Sequence, residues 1–141
     1  MQAKEYLLQI KKLDRLIQNK LIEKEQWQAI AEGASSSLSS DKVQSSGNPQ
    51  RMADAISNYL DIENEIKATI KTLVVTKKDI LKTIEQLDTD EYDILHKIYL
   101  QGLSLYDVAD IYDKSYNWAT TTHGRALKHL QNILNAQEKQ L

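Results

Sequence analysis

The chain contains no cysteine, which removes disulfides and thiolate metal sites without fixing a compartment. It has no phenylalanine, one proline and only four glycines in 141 residues, so little in it interrupts a helix. No apolar run approaches the roughly 20 residues that span a bilayer. The opening Met1-Gln2-Ala3-Lys4-Glu5 enters a charged amphipathic pattern and lacks the continuous apolar core of a signal peptide. The expectation is a cytoplasmic protein with no membrane association. An excess of positive charge is also missing: the formal net charge is -2, which argues against a chain held on nucleic acid by bulk basicity, because neutralising phosphates needs clustered Lys and Arg. What is abundant is Leu, Ile, Ala, Lys, Gln and Glu, residues that lose little side-chain freedom in a helix. The expected class is all-α, as one modest domain or a small domain carrying long helical extensions.

From Gln2 to Glu32 apolar residues recur at Tyr6, Ile10, Leu13, Ile17, Leu21 and Trp27, with Leu7, Leu16 and Ile30 widening the stripe, which is helical spacing. Gly33 to Asn48 is rich in Ser and Gly and reads as a flexible connector, either a plain linker or a loop that orders on binding, before Pro49 opens the next helix. From Met52 a 4-3 repeat runs through Ile56, Tyr59, Glu63, Ile66, Ile70, Leu73, Lys77, Ile80, Ile84 and Leu87, the pattern of a coiled coil. Glu63 and Lys77 are polar seam positions that must fix register or reach solvent. The long connector lets the first helix fold back as an antiparallel hairpin, and self-association of two such hairpins through the long helices is the other way to bury these stripes. The expected division is 1-32, 33-49, 50-87 and 88-141.

The charge changes sign abruptly near the C-terminus. Asp88 to Asp113 holds seven acids against Lys97, whereas Lys114 to Leu141 holds Lys114, Arg125, Lys128 and Lys139 against Glu138, a change from 1 - 7 = -6 to 4 - 1 = +3. Asp88 and Thr89 suit a helix start, with Asp90 and Glu91 at the positive end of its dipole. That helix runs to about Gln101, burying Ile94, Leu95, Ile98 and Tyr99, and Gly102 can end it in the left-handed conformation. Ser104-Leu105-Tyr106-Asp107 reads as a capping box with Asp for Glu, opening a short helix to about Tyr112 with Leu105, Val108, Ala109 and Tyr112 inward. Asp113-Lys114 makes a turn, since Asp tolerates positive φ. Ser115 caps a final helix with Ala119, Thr122, Ala126, Leu127 and Leu130 along one side. Two short helices joined by a tight turn form the unit that places its second helix in a major groove.

Leu87 to Leu130 resembles sigma factor region four. The likeness is carried by Gly102-Leu103-Ser104-Leu105-Tyr106-Asp107-Val108-Ala109 and by Ser115 with Arg125-Ala126-Leu127-Lys128-His129-Leu130. The remainder resembles a family of proteins from prophages of Gram-positive bacteria related to the ArpU and RinA types of late-gene transcription regulator, on Val43-Gln44-Ser45-Ser46-Gly47-Asn48-Pro49 and the helix beginning Arg51-Met52-Ala53-Asp54-Ala55-Ile56. The resemblance implies a regulator acting with host RNA polymerase at phage promoters. The family's turn usually has Gly where Asp113 stands and an aliphatic residue where Lys114 stands. Its base-reading positions are often Arg, Glu and Gln, whereas Tyr116, Asn117, Thr120 and Thr121 stand there in this chain.

The expected double-stranded DNA interface comprises Lys114, Ser115, Tyr116, Asn117, Trp118, Thr120, Thr121, Arg125 and Lys128. Asn can bond adenine bidentately and Thr offers a hydroxyl and a methyl for thymine, which leans the site towards A·T pairs. Arg125, Lys128 and Lys114 are assigned to phosphates. Trp118 suits interhelix packing as well as a DNA or polymerase contact. His96, His123 and His129 lack metal-ligand spacing and read as surface residues. The acids before Asp113 read as a solvated face, or as a surface that repels DNA and attracts polymerase. No phosphate loop, nucleophile motif or acid-base pair suggests an enzyme or a cofactor. The competing readings are a packaging protein of the small terminase type and a module that binds only protein.

Overall fold

The structure is a computed structural model and describes residues 1-36 and 49-140. Its elements are α1 (Ala3–Ser36), α2 (Pro49–Ile84), α3 (Thr89–Leu95) continuing into a π-helical turn (His96–Leu100), α4 (Leu105–Tyr112) and α5 (Tyr116–Lys139). The fold is all-α, with no strand among the described residues. Helix α1 continues through Ser36 instead of stopping at Glu32, and the rest of the expected connector lies outside the described residues. Pro49 is the first residue of α2, where its missing N–H would have had no intrahelical partner anyway. Among the described residues, no helix is long and apolar enough to cross a membrane.

The chain divides into two compact units, Leu13–Thr72 and a second made of Met1–Lys12 with Leu73–Leu141. In Leu13–Thr72 the two long helices run antiparallel, because successive residues of α1 meet progressively earlier residues of α2. Lys20 Nζ lies 3.2 Å from Glu65, Lys24 Nζ sits 5.3 Å from the Tyr59 ring centroid, and Gln28, Ala31 and Glu32 share a groove with Ile56, Tyr59 and Leu60. The inward line of α2 is Ala55, Ile62 and Ile66, joined by half-buried Tyr59. This line shares Tyr59 and Ile66 with the expected seam and departs from it at Ile56 and Ile70, which are 49% and 44% exposed. On α1, Leu21 is likewise exposed while Lys20 and Lys24 are half-buried. The lysines can take inward positions because their aliphatic stems pack while their ammonium groups reach a carboxylate and an aromatic face.

The other unit is built around Leu7, Ile80, Ile84, Ile94, Leu95, Val108 and Leu130, all fully buried. Ala3, Tyr6, Leu7 and Ile10 from the first turns of α1 therefore belong to the same core as α3, α4 and α5. The ends of the long helices are part of this C-terminal unit, where the sequence suggested a boundary after Leu87. Polar contacts reinforce the arrangement. The Tyr6 hydroxyl donates to the Asp79 carboxylate at 2.6 Å and lies 2.9 Å from the Thr83 hydroxyl. The Ala3 N–H donates to Gln131 Oε1 at 2.7 Å, satisfying one of the amides that an N-terminal helical turn leaves without a partner.

Candidate nucleic-acid interface

Helix α3 starts behind Asp88, whose backbone is extended but whose side chain makes no capping bond; only its carbonyl is used, accepting from Tyr92 N–H at 2.8 Å. Of the acids expected at this helix start, Glu91 behaves differently from the rest. It is 1% exposed and accepts hydrogen bonds from Arg125 Nε at 3.0 Å and from His129 Nδ1 at 2.8 Å. The reading of these acids as solvated charge thus fails at Glu91, because a carboxylate can be buried where two donors from a neighbouring helix meet it. Asp93 instead bonds Lys97 one turn later at 2.8 Å, and the same ammonium lies 5.6 Å from the Tyr112 ring centroid.

The π-helical turn widens the end of this helix before Gly102 reverses the chain at φ 77°. Ser104 then forms the expected capping box: Asp107 N–H donates to Ser104 Oγ at 3.1 Å, and Ser104 N–H donates to Asp107 Oδ2 at 3.0 Å. Those bonds stabilise the carboxylate and hold Asp107 below its ordinary range. Val108 and Ala109 are buried, and Leu105 and Tyr112 are partly so. Helix α4 ends with Asp113 at φ 54°, its N–H donating to Asp110 O at 3.1 Å while Lys114 N–H donates to Ala109 O at 2.9 Å. This is the Schellman pattern with an aspartate in the position glycine usually takes. Ser115 caps α5 by accepting from Trp118 N–H at 3.0 Å.

Ala119, Thr122, Ala126, Leu130 and Leu134 form the buried face of α5. Asn117, Thr121, Gly124 and Lys128 consequently fall together on its opposite, exposed arc, with exposed Lys114 in the preceding turn. The other expected interface residues have internal partners. The Thr120 hydroxyl donates to Asn117 O at 3.0 Å, and Trp118 is half-buried against Tyr112 at a ring separation of 5.1 Å. Tyr116 stacks on Tyr106 with centroids 4.2 Å apart and planes 10° from parallel, and both rings stay exposed. Arg125, expected on phosphate, is held at Nε by Glu91, although half of its side chain remains accessible.

The three histidines, expected at the surface, are all partly exposed, and two of them meet a neighbouring helix. His123 is half-buried with its Nε2 2.8 Å from the Tyr99 hydroxyl, and burial together with the Lys4 charge lowers its proton affinity. Burial also raises Tyr99. His129 is turned onto Glu91, while His96 reaches only Gln101. Sequence reading missed Glu91 and Tyr106. The signal for Glu91 was its place one turn before Ile94 and Leu95 on the inward stripe; for Tyr106 no spacing pointed to Tyr116.

Chemically the arc offers an amide, a hydroxyl with a methyl and the Lys128 ammonium on α5, with the Lys114 ammonium in the turn before it and an exposed aromatic pair beside it. No group of acids, histidines or cysteines suited to holding a metal occurs among the described residues. Comparison of the chain with protein-family models, with curated proteins and with solved structures returns no match.

Proposed function

We propose that this chain is a sequence-specific DNA-binding regulator of transcription that sets α5 into the major groove and acts with host RNA polymerase at phage or prophage promoters. The observation that carries this reading is the exposed arc of Asn117, Thr121, Gly124 and Lys128 on a helix whose opposite face is buried, entered through a tight turn from α4. Asn117 and Thr121 read base edges, with an A·T preference. Lys128 and Lys114 contact phosphates, the serine cap and the Tyr106–Tyr116 stack fix the start of the helix, and Arg125 contributes its free guanidinium nitrogens after anchoring on Glu91. With so few cations on this surface, a single copy binds DNA weakly, and pairing through the long helices or contact with polymerase supplies the remaining affinity.

The test is to sequence DNA retained by the purified chain, with and without RNA polymerase. Enrichment of one motif is expected. Asn117→Ala with Thr121→Ala should relax its sequence preference, and Lys114→Gln or Lys128→Gln should weaken all sequences alike and lower the salt slope by about 1 each. No enrichment in either condition defeats the reading.

A further inference from the structure

Helix α2 carries two apolar lines; Ala55, Ile62 and Ile66 are buried, and the second line stays largely exposed, touching α1 only along the rim of a groove. That second line runs through Ile56, Leu60, Glu63, Lys67 and Ile70, again in 4-3 spacing. Ile56, Leu60 and Ile70 are 49%, 51% and 44% exposed, a row of large aliphatic side chains in water along one helix. Such a row marks an interaction surface. Beside it, between α2 and α1, lies a groove of about 350 Å³ lined by Ile56, Tyr59, Leu60 and Ala31. Glu63 and Lys67 make no ion pair among the described residues, although they stand one turn apart.

The order of residues on this stripe says what covers it. From Leu60 to Ile70 it reads the same in either direction: an aliphatic residue, one charge, the opposite charge, an aliphatic residue. We infer that the stripe binds the same stripe of a second copy of this chain, with the two α2 helices antiparallel about a two-fold axis that passes midway between Glu63 and Lys67. In that register Glu63 faces Lys67 of the second copy and Lys67 faces its Glu63. Leu60 faces Ile70 on either side, and Ile56 closes the row near the groove. An isologous contact of this kind needs a surface complementary to itself, and the acid-base order provides it. Parallel pairing brings Glu63 against Glu63 and Lys67 against Lys67, which like-charge repulsion disfavours. This deepens the pairing through the long helices proposed above by naming its surface and direction, and it does not depend on DNA binding.

The full chain has no cysteine, so engineered thiols report the direction directly. In sedimentation velocity the unmodified chain is expected to be a dimer, and Leu60→Glu is expected to be a monomer of unchanged helical content. Under mild oxidation a mixture of Leu60→Cys and Ile70→Cys chains should give a disulfide-linked heterodimer, while Leu60→Cys alone should give none. Glu63→Lys and Lys67→Glu should each shift the chain towards monomer, and the double exchange should restore the dimer. A monomer at all concentrations, a dimer that Leu60→Glu leaves intact, or efficient linkage of Leu60→Cys to itself overturns the inference. DNA enrichment measured on the unmodified chain beside its oligomeric state separates the two readings: a monomeric chain that still enriches a motif overturns the pairing alone, and a dimer that enriches nothing overturns only the DNA reading.

Discussion

The Nε of Arg125 lies 3.0 Å from a carboxylate oxygen of Glu91, whose side chain is only 2% exposed. The pair ties α5 to α3 from inside the unit that carries the candidate interface. Removing Arg125 leaves the buried carboxylate with His129 alone, so Arg125→Ala should lower unfolding free energy by about 1–2 kcal/mol, the exposure of the arginine keeping the loss moderate. Glu91→Gln with Arg125→Ala should lose less than the sum of the single changes, because the neutral amide no longer needs the guanidinium. Urea denaturation of the four chains gives the answer. Any loss of DNA affinity in Arg125→Ala must then be judged against its stability, which makes Lys128 the cleaner probe of phosphate contact.

Leu7 lies far from α5 in sequence but is fully buried in the core beneath it. Leu7→Ala should cost roughly 2–5 kcal/mol, comparable to the same change at Leu130. Thermal melting followed by the fluorescence of Trp118 in a Trp27→Tyr background is a direct check. A melt in which Leu7→Ala leaves the C-terminal unit untouched contradicts the shared core.

Three backbone positions should respond with opposite signs. A Cβ added at Gly124 meets nothing within 4 Å, so Gly124→Ala should stabilise the helix by roughly 0.5–1 kcal/mol. Gly102 sits at φ 77°, and Gly102→Ala should destabilise despite equally open space. Asp113 occupies the left-handed region at φ 54°, so Asp113→Gly should be neutral or stabilising by up to about 1 kcal/mol. Chemical denaturation ranks all three. On the proposed reading of α5 as the DNA-contacting helix, a larger side chain at Gly124 should reduce DNA binding without loosening the fold.

His123 supplies a pH dependence. Burial and the nearby Lys4 charge disfavour its protonated form in the folded chain, so its folded value lies below the ordinary 6.5. As pH falls, the unfolded chain takes up this proton first. The contribution is therefore fully present above about 6.5 and declines below it, until the folded group also titrates. Unfolding free energies at about pH 7.5 and about pH 5.5 should differ less in His123→Gln than in the unmodified chain.

The turn chemistry of the C-terminal unit was legible because each signal is local. Ser104 with Asp107, Gly102, Asp113 and Ser115 all do what their types favour over three or four residues. The hairpin register was harder to read. On α2 both Met52-Ile56-Tyr59-Glu63 and Ala55-Tyr59-Ile62-Ile66 have coiled-coil spacing, and spacing alone cannot choose which one meets α1. Lys20 and Lys24 compounded the difficulty by packing their stems where Leu21 was expected. Glu91 was hidden for a different reason. Its burial depends on Arg125 and His129 arriving from another helix, which no local window contains.

The bond from Ala3 to Gln131 spans 128 residues. Tyr6, Leu7 and Ile10 share one core with α5, so although α2 already meets Tyr6 through Asp79 and Thr83, their burial is complete only once α5 has been made. A chain interrupted ahead of α5 leaves those side chains partly uncovered, a marker of incomplete synthesis that chaperones and proteases can read. Closure of this core thus waits for α5, which is made after both long helices.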